Sequence, residues 1–279
     1  MNNQPHPDTL VQEKYFKLKE IIESMGSLVI AFSGGIDSSL IARVAHDSLD
    51  SRAVAVTATS PTYPSYEIED AKRIASAIGI RHILIESNEL DIAEFAKNNT
   101  DRCYHCKMEL FDKLKSIADD LHIDNIACGT TIDDLSDYRP GTEAARKLGV
   151  RSPLVEAGLT KKIVREISKM LGLSNWDKPS FACLSSRFPY GTEITEDRLE
   201  QVGMCETFLR QLGFKQFRVR YHGEVARVEV SVEELKQFIE DLSLREKIVK
   251  RFKEFGFTYV TLDLEGYRTG SMNEGLRTP

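Results

Sequence analysis

The stretch VIAFSGGIDSS, from Val29 to Ser39, decides the fold. Its first residues belong to a continuous apolar run, which is typical of a strand buried on both faces of a parallel sheet. The run ends at Ser33, and two glycines, an isoleucine, an aspartate and two serines follow. A buried strand that leads through such a turn into a helix predicts an anion site. Gly34 and Gly35 let the backbone approach a phosphate, and the free N–H groups of the first helical turn point towards it.

The polar side chains of this turn add to the expected site. The hydroxyls of Ser33, Ser38 and Ser39 are further donors. Asp37 would repel a bare phosphate, so we expect it either to cap the helix or to hold a Mg²⁺ that bridges the phosphates. Judged on its glycines alone, the turn would also suit an ordinary strand–helix connection with capping serines. The whole pattern matches neither G-x-x-x-x-G-K-[ST] nor G-x-G-x-x-G.

SGGIDSS resembles the SGGxDS motif of the ATP-pyrophosphatase, or PP-loop, superfamily. The resemblance implies an ATP site that grips the β- and γ-phosphates and leaves the α-phosphate open to attack by a carboxylate or carbonyl oxygen. Pyrophosphate is then released. The predicted nucleotide-binding residues are Ser33, Gly34, Gly35, Asp37, Ser38, Thr57, Lys107 and Gly129.

Apolar runs and helical patterns alternate through the first part of the chain. The predicted strands are Ser27–Phe32, Ala53–Ala58, His82–Glu86 and Asn125–Gly129, and the predicted helices are Val11–Met25, Asp37–Leu49, Tyr66–Ile78 and Arg102–Leu121. This alternation predicts an α/β fold with a doubly wound parallel sheet. The loops that follow its strands share one edge, where ligands bind.

The pattern changes after Gly172. The loop Asn175–Thr195 is longer than most connections and contains a cysteine, an arginine and a tyrosine, which favours a functional role. A helix (Glu196–Leu212) and three strands (Phe217–Tyr221, Val225–Val230 and Phe257–Leu264) follow and predict a second, smaller α+β domain. We therefore predict a PP-loop domain over residues 1–174, an active-site loop over 175–194, and a small domain for substrate binding or oligomerisation over 195–279.

Charge and hydropathy exclude several classes of protein. The chain has 37 basic and 43 acidic residues, a formal net charge of −6, which does not suggest bulk binding of nucleic acid or membrane surfaces. No apolar stretch approaches the ~20 residues of a membrane span. The opening MNNQPHPDT lacks the apolar core of a secretory signal. We expect a cytoplasmic protein.

The chain has five cysteines, an odd number that argues for metal or catalytic roles rather than a disulfide framework. Cys103 and Cys106 open a predicted helix and share one face of it, and the helix N-terminus favours the thiolates that metals bind. Cys183, in the long loop, is the candidate third ligand. Cys128 and Cys205 lie in an apolar strand and an amphipathic helix, and we predict them to be core residues.

Three cysteines suit a [4Fe–4S] cluster with one open iron, because such a cluster normally takes four thiolates. An open iron can bind an extra sulfide. Beside an ATP site this combination predicts sulfur transfer, in which an oxygen is activated as its adenylate and sulfur then displaces AMP. Zinc binding or redox exchange by the CxxC pair stays an alternative on these residues alone.

Four further segments carry a more specific resemblance. They are DYRPG (Asp137–Gly141), CLSSRFPYG (Cys183–Gly191), RVRYH (Arg218–His222) and YVTLDLEGYRTGSMN (Tyr259–Asn273). With SGGIDSS they resemble the LarE family, ATP-dependent sulfur transferases of nickel-pincer nucleotide cofactor biosynthesis, over essentially the whole chain. The resemblance implies a small-molecule nucleotide substrate, pyridinium-3,5-biscarboxylic acid mononucleotide, whose carboxylates become thiocarboxylates after adenylation by ATP with Mg²⁺. It also implies a homohexamer, and it leaves the sulfide donor unidentified.

The family has two sulfur sources. In one type a single cysteine just before the Ser-Ser-Arg segment gives up its sulfur and becomes dehydroalanine, and in the other three cysteines hold a [4Fe–4S] cluster that delivers a bound sulfide. The CxxC pair indicates the cluster type, and Cys183 lies one residue nearer to the Ser-Ser-Arg than the sacrificial cysteine does. By this resemblance Cys103, Cys106 and Cys183 are predicted metal ligands and, with Arg187, catalytic residues. Sacrifice of Cys183 is the alternative.

The same resemblance makes Arg187, Glu206, Arg218 and Arg220 candidates for substrate binding. Arginine forks match both phosphate and carboxylate groups. The competing interpretations are a solvated strand face for Arg218 and Arg220, which alternate along one strand, and a surface position for Glu206 on its helix. Tyr190 is expected to serve packing.

Three other functions compete with sulfur transfer to this nucleotide. A tRNA-thiolating PP-loop enzyme would need a basic face, and it usually carries an extra RNA-binding or zinc module. An amidating PP-loop ligase would use its cysteines for structural zinc and would be colourless when pure. A non-catalytic nucleotide-binding regulator would show no conversion of ATP to AMP.

Overall fold

The computed structural model describes residues 7–136, 140–179, 181–268 and 270–272. Asp137, Tyr138 and Arg139 of the DYRPG segment, and Thr269 and Asn273 of the C-terminal segment, lie outside the described residues. The chain forms two compact units. The first contains residues 1–60, 65–87 and 103–180, and the second contains 61–64, 88–102 and 181–279. The domain boundaries expected from the sequence stay a prediction.

The first unit is an alternation of helices and strands. Its elements are α1 (Pro7–Ser24), β1 (Leu28–Ala31), α2 (Ile36–Leu49), β2 (Ala53–Thr59), α3 (Ser65–Ile78), β3 (Arg81–Glu86), α5 (Arg102–Asp120, with Arg102 in the second unit), β4 (Ile126–Ala127), α6 (Pro140–Lys147), α7 (Pro153–Glu156) and α8 (Lys161–Met170). Short 3-10 turns cover Asp50–Arg52 and Ile132–Ser136.

The four strands form one parallel sheet in the order β3-β2-β1-β4. Leu28 and Ile30 of β1 pack into a core with α1, α2 and α8, whereas Val29 packs with α5 and α6 on the opposite face. Alternate side chains of a strand point to opposite faces, so a strand covered on both sides reads as a continuous apolar run. The α/β fold with a doubly wound parallel sheet is confirmed. Its strand order reverses between β1 and β4, the place where such sheets bind ligands.

The second unit contains a three-stranded mixed sheet and its own helices. Its elements are α4 (Ala93–Ala96), α9 (Glu196–Gln211), β5 (Phe217–His222), β6 (Val225–Val230), α10 (Val232–Glu240), α11 (Leu242–Glu254) and β7 (Tyr259–Leu262), with 3-10 turns at Glu89–Asp91 and Leu184–Arg187. β5 pairs antiparallel with β6, and β6 pairs parallel with β7. Thr195 caps α9 by accepting the N–H of Arg198, which fits the preference for threonine at this position.

Two edge strands are shorter than predicted. β4 covers only Ile126–Ala127, because the chain then turns to the segment at Arg151, which accepts the Cys128 N–H at 3.0 Å. β7 begins at Tyr259, because the Phe257 N–H instead bonds to Phe252 at the end of α11. The end of an edge strand depends on where the neighbouring segments stop pairing with it, which apolar composition does not report. Among the described residues, no helix is long and apolar enough to cross a membrane.

Candidate active site

The turn after β1 is shaped by its own serines. Ser38 Oγ accepts the Ser33 N–H at 3.2 Å and donates to the Gly35 carbonyl at 3.2 Å, and the Gly35 N–H donates to Ser33 Oγ at 3.3 Å. Gly35 is the N-cap of α2, with no side-chain capping bond, and Asp37 lies in the first turn. The expectation that Asp37 caps this helix is therefore wrong. Its role as a Mg²⁺ ligand stays a prediction.

Gly34 and Gly129 are positions where only a glycine fits without displacement. Gly34 has φ +67°, and a Cβ there would lie 2.7 Å from Ala71 Cα in α3. A Cβ at Gly129 would lie 3.0 Å from the Ser38 backbone nitrogen and 3.1 Å from Asp37 Cβ. The end of β4 therefore packs directly against the start of α2, at the reversal point of the sheet. The first N–H groups of α2 follow this point, and the free N–H groups at the start of a helix favour a phosphate.

Asn175 is a residue of this loop's surroundings that sequence reasoning did not single out. It is 6% exposed, and its Nδ2 donates to the Gly34 carbonyl at 3.1 Å and to Ser39 Oγ at 3.0 Å. Lys178 ties the same segment to α3 through Glu67 (2.8 Å). The segment was recognised only as the start of a long loop. The side-chain amide of Asn175 was the only hint in the sequence, but the Gly34 carbonyl to which it bonds lies 141 positions away.

Replacing Asn175 with alanine is expected to weaken ATP binding about fivefold to tenfold, because each lost neutral hydrogen bond is worth about 0.5–1.5 kcal/mol. Without the amide, the Gly34 carbonyl oxygen and Ser39 Oγ both lose the buried N–H donor from which they accept, and the loop relaxes. Calorimetric titration with Mg·ATP measures the change. Asn125→Ala is the matched control, because Asn125 Nδ2 also bonds to a backbone carbonyl, that of Met25 at 2.8 Å. Equal ATP affinity in both variants would contradict a role for Asn175 in shaping the loop.

Thr57 and His82 lie beneath the end of β1. The buried Thr57 hydroxyl donates to the Phe32 carbonyl at 2.7 Å, so it accepts from His82 Nε2 at 2.8 Å. Burial, and then the charge of Lys72, lower the pKa of His82, which is therefore neutral at pH 7. This hydroxyl is engaged in supporting the strand. The expectation that Thr57 binds nucleotide stays a prediction.

Cys103 and Cys106 lie in the first turns of α5. Cys103 is exposed and Cys106 is half-buried, so both thiols are accessible. Lys107 stacks over the Phe111 ring, with its Nζ 5.6 Å from the ring centre. A Cβ at Gly141 would lie only 2.9 Å from Lys107 Cγ, so the start of α6 packs closely against this lysine. The pair has the softness and position on the helix that an iron–sulfur cluster or zinc requires.

The other three cysteines differ in exposure. Cys183 is half-buried and directly precedes the 3-10 turn Leu184–Arg187 of the second unit. Cys128 and Cys205 are buried, as predicted for core residues. Burial and the neighbouring Glu206 raise the pKa of the Cys205 thiol far above its ordinary value, so it is a poor metal ligand. Within the residues that the structure describes, no group of three or more His, Cys, Asp and Glu side chains is arranged to hold a metal ion.

Arg187 and Glu206 form a buried ion pair in the second unit. Both side chains are 0% exposed, and the guanidinium donates through Nε and Nη2 to the two carboxylate oxygens, at 2.8 Å each. Glu206 also accepts the Val219 N–H of β5 at 2.9 Å. Burial by itself would raise the pKa of Glu206, but Arg187, followed by Arg218 and this N–H, brings it below the ordinary value. A surface position for Glu206 is therefore wrong.

Arg218 and Arg220 are 6% and 4% exposed, so a solvated strand face is also wrong. Arg218 stacks over the Tyr267 ring at 4.9 Å, and burial and the charge of Arg187 lower its pKa to about 10. Arg220 bonds to Glu229 at 2.6 Å and to the Ser186 carbonyl at 3.0 Å. Its buried Nε has no hydrogen-bond partner among the described residues.

These arginines concentrate positive charge inside the second unit. Three guanidinium groups share the region with two buried carboxylates, those of Glu206 and Glu229. Like charges held together away from water are unfavourable unless an anion compensates them. The arrangement can therefore bind a phosphate or carboxylate of a ligand. Direct substrate contact by each of the predicted residues stays a prediction.

The sequence is similar to one family profile and to several known proteins. A family profile described as asparagine synthase matches residues 20–107. An uncharacterised protein of Synechocystis is 47% identical over 96% of this chain and 99% of its own length. The pyridinium-3,5-bisthiocarboxylic acid mononucleotide synthase of Lactiplantibacillus plantarum is 37% identical over 91% of this chain and 92% of its own length. A tRNA-specific 2-thiouridylase of Rickettsia africae is 25% identical over 56% of this chain and 53% of its own.

Proposed function

The chain belongs to the LarE family of pyridinium-3,5-bisthiocarboxylic acid mononucleotide synthases, and on this premise we propose that it is an ATP-dependent sulfur transferase acting on pyridinium-3,5-biscarboxylic acid mononucleotide. The observation that carries the proposal is the likeness to the Lactiplantibacillus plantarum synthase over nine-tenths of both chains. The PP-loop geometry after β1 supports the use of ATP.

The first step uses the loop from Ser33 to Ser38. Its backbone N–H groups and serine hydroxyls bind the β- and γ-phosphates, and Asp37 would hold a Mg²⁺, whose charge would offset the negative charge of the phosphates. A substrate carboxylate oxygen attacks the α-phosphorus and the bond to the β-phosphate oxygen breaks. The products are an acyl adenylate and pyrophosphate. The acyl carbon of the adenylate is more electrophilic than that of the carboxylate, because AMP is a better leaving group than oxide.

The second step replaces oxygen by sulfur. A sulfide attacks the acyl carbon, the bond to AMP breaks, and the products are a thiocarboxylate, AMP and a proton. We propose that the thiolates of Cys103, Cys106 and Cys183 hold a [4Fe–4S] cluster. When bound, such a cluster with an open iron supplies the sulfide. The accessible CxxC pair at the start of α5 fits this donor chemistry.

The buried arginines support the substrate assignment. Pyridinium biscarboxylic acid mononucleotide carries a phosphate and two carboxylates, and Arg218 and Arg220 offer forked donors where positive charge is already concentrated. The Arg220 Nε, buried with no partner among the described residues, is a donor suited to such an anion. The family resemblance further favours a homohexamer.

Anaerobic purification of the wild type, Cys103→Ala and Cys205→Ala tests the cluster and the reaction together. We expect a brown wild type with about four irons and four sulfides per chain, the content of one cluster. Colour and iron should be lost in Cys103→Ala and kept in Cys205→Ala, whose thiol is buried and protonated. The wild type should also convert ATP to AMP and pyrophosphate with the biscarboxylate substrate and yield thiocarboxylate.

Two results would overturn parts of this proposal. A wild type that is colourless and iron-free even after anaerobic reconstitution would contradict the assignment of a [4Fe–4S] cluster. Cys183 would then be the sacrificial donor, which mass spectrometry detects as a loss of ~34 Da when dehydroalanine replaces cysteine. No substrate-dependent formation of AMP and pyrophosphate would sink the sulfur-transferase assignment itself.

A further inference from the structure

The guanidinium of Arg187 does more than pair with Glu206. Its Nη1 donates to the Ala182 carbonyl at 2.7 Å, to the Cys183 carbonyl at 3.2 Å and to Ser186 Oγ at 2.7 Å. Its face covers the Phe181 ring, with Cζ 5.1 Å from the ring centre. One buried side chain thus contacts the chain on both sides of Cys183.

Two backbone hydrogen bonds also restrain the segment around Cys183. The Ser186 N–H donates to the Cys183 carbonyl at 3.0 Å, and the Leu184 N–H donates to the Thr62 carbonyl at 2.8 Å. Both of these bonds join backbone atoms. The bonds from Arg187 are side-chain bonds to two successive carbonyls, so they fix the orientation of the peptide that joins Ala182 to Cys183. That orientation sets the direction of the Cys183 side chain.

The partners of Arg187 also limit what else it can do. It is 0% exposed, and its Nε, Nη1 and Nη2 all donate to protein oxygens. An anionic ligand could reach this guanidinium only by displacing Glu206 or the carbonyls. Glu206 is itself held by the Val219 N–H, so displacement would break a second buried bond. The pair is built to hold the loop rather than to bind a ligand.

We propose that Arg187, locked by Glu206, is a positioning residue for the Cys183 thiol. It acts through the backbone of residues 182–183 and makes no contact with substrate. The chemistry assigned to the Cys183 thiol rests on the proposed function. The contacts by which Arg187 holds the loop do not depend on that function. This positioning role replaces the role in substrate binding that the sequence predicted for Arg187.

Arg187→Lys is the direct test, because lysine keeps the charge and loses the planar fork. We expect iodoacetamide to alkylate Cys183 about tenfold faster in reduced, metal-free, full-length Arg187→Lys than in the wild type, the factor that corresponds to losing one or two hydrogen bonds. Peptide mass spectrometry follows each cysteine separately. Cys103 is exposed in both proteins, so its unchanged rate is the internal reference.

Arg198→Lys is the matched control. Arg198 lies in the same unit, stacks over the Tyr221 ring at 5.5 Å and donates to the Glu193 carbonyl at 2.6 Å, so these contacts join it to residues outside the Cys183 segment. Its replacement should leave the Cys183 rate within twofold of the wild type. An equal Cys183 rate in Arg187→Lys and the wild type would overturn the proposal. If Arg187→Lys melts at room temperature by circular dichroism, Ser186→Ala removes one of the three Nη1 acceptors and should give a smaller change in the same direction.

Kinetics separate positioning from substrate binding. On anaerobically purified enzyme, Arg187→Lys should lower kcat for thiocarboxylate formation about tenfold and leave the substrate KM and the substrate-dependent ATP–pyrophosphate exchange within twofold. A raised KM with unchanged kcat would assign Arg187 to the substrate and overturn the proposal. If the wild type shows no exchange at all, the proposed function fails. The alkylation result then decides the positioning role on its own.

Discussion

Replacing Glu206 with alanine is expected to lower the free energy of unfolding by about 3–5 kcal/mol, the usual cost of leaving one member of a buried ion pair without its partner. Arg187 would keep its charge with both the Nε and Nη2 donors unmatched, and the Val219 N–H would lose its acceptor. Urea unfolding followed by circular dichroism measures the loss. Hydrogen exchange of the Val219 amide should accelerate, which locates the effect at the start of β5.

A matched pair at the surface separates burial from charge. Arg151 and Glu156 also form a two-pronged pair, but both side chains are about one-third exposed. Glu156→Ala should therefore cost no more than about 1 kcal/mol. The double replacement of Arg187 by methionine and Glu206 by leucine should recover most of the lost stability, because it removes both buried charges together. A cost for Glu206→Ala as small as that for Glu156→Ala would mean that water reaches the pair.

The same pair predicts a dependence on pH. The folded-state pKa of Glu206 is lowered, so its contribution to stability is fully present above the ordinary value of 4.5 and is lost as the pH falls through the folded-state pKa. The difference between wild type and Glu206→Ala should therefore shrink towards acidic pH.

Replacing Gly34 with alanine is expected to reduce affinity for Mg·ATP by about 100-fold, equivalent to ~2.8 kcal/mol of binding free energy. The left-handed backbone, with φ +67°, costs about 1–2 kcal/mol for a residue with a Cβ. The new Cβ would also lie 2.7 Å from Ala71 Cα and 3.0 Å from Ala71 Cβ. Both atoms are fixed to the backbone of α3 and cannot rotate away, so the loop that contains residue 34 must move instead. Calorimetric titration measures the affinity.

Gly26→Ala isolates the steric part of this effect. Gly26 has nearly the same backbone conformation, φ +71°, yet nothing lies within 4 Å of a Cβ built there. Both variants should lose similar stability from backbone strain, and only Gly34→Ala should lose ATP affinity. Equal affinity in the two variants would show that the turn after β1 does not bind the nucleotide.

The sequence was sufficient for the two central strands of the first sheet. β1 and β2 are covered on both faces, so their continuous apolar composition predicts them. The glycine at position 34 indicates the left-handed backbone that the turn adopts there. The hydrogen bonds between the turn's own residues join positions at most five apart. Interactions this local are encoded in a short stretch of sequence, and the LarE resemblance rests on segments of the same kind.

Tertiary structure decided the role of the charged residues. The helical pattern of α9 does not tell which face is buried, so Glu206 could have been at the surface, and its partner Arg187 lies 19 positions away. Asn175 meets Gly34 across 141 positions. A buried charge or amide is tolerated only where distant segments bring it a partner, and no local pattern reports that partner. Sequence by itself therefore determined the sheet, the phosphate-binding turn and the family, whereas only the packed chain determined that Arg187 and Glu206 face each other around the Cys183 loop.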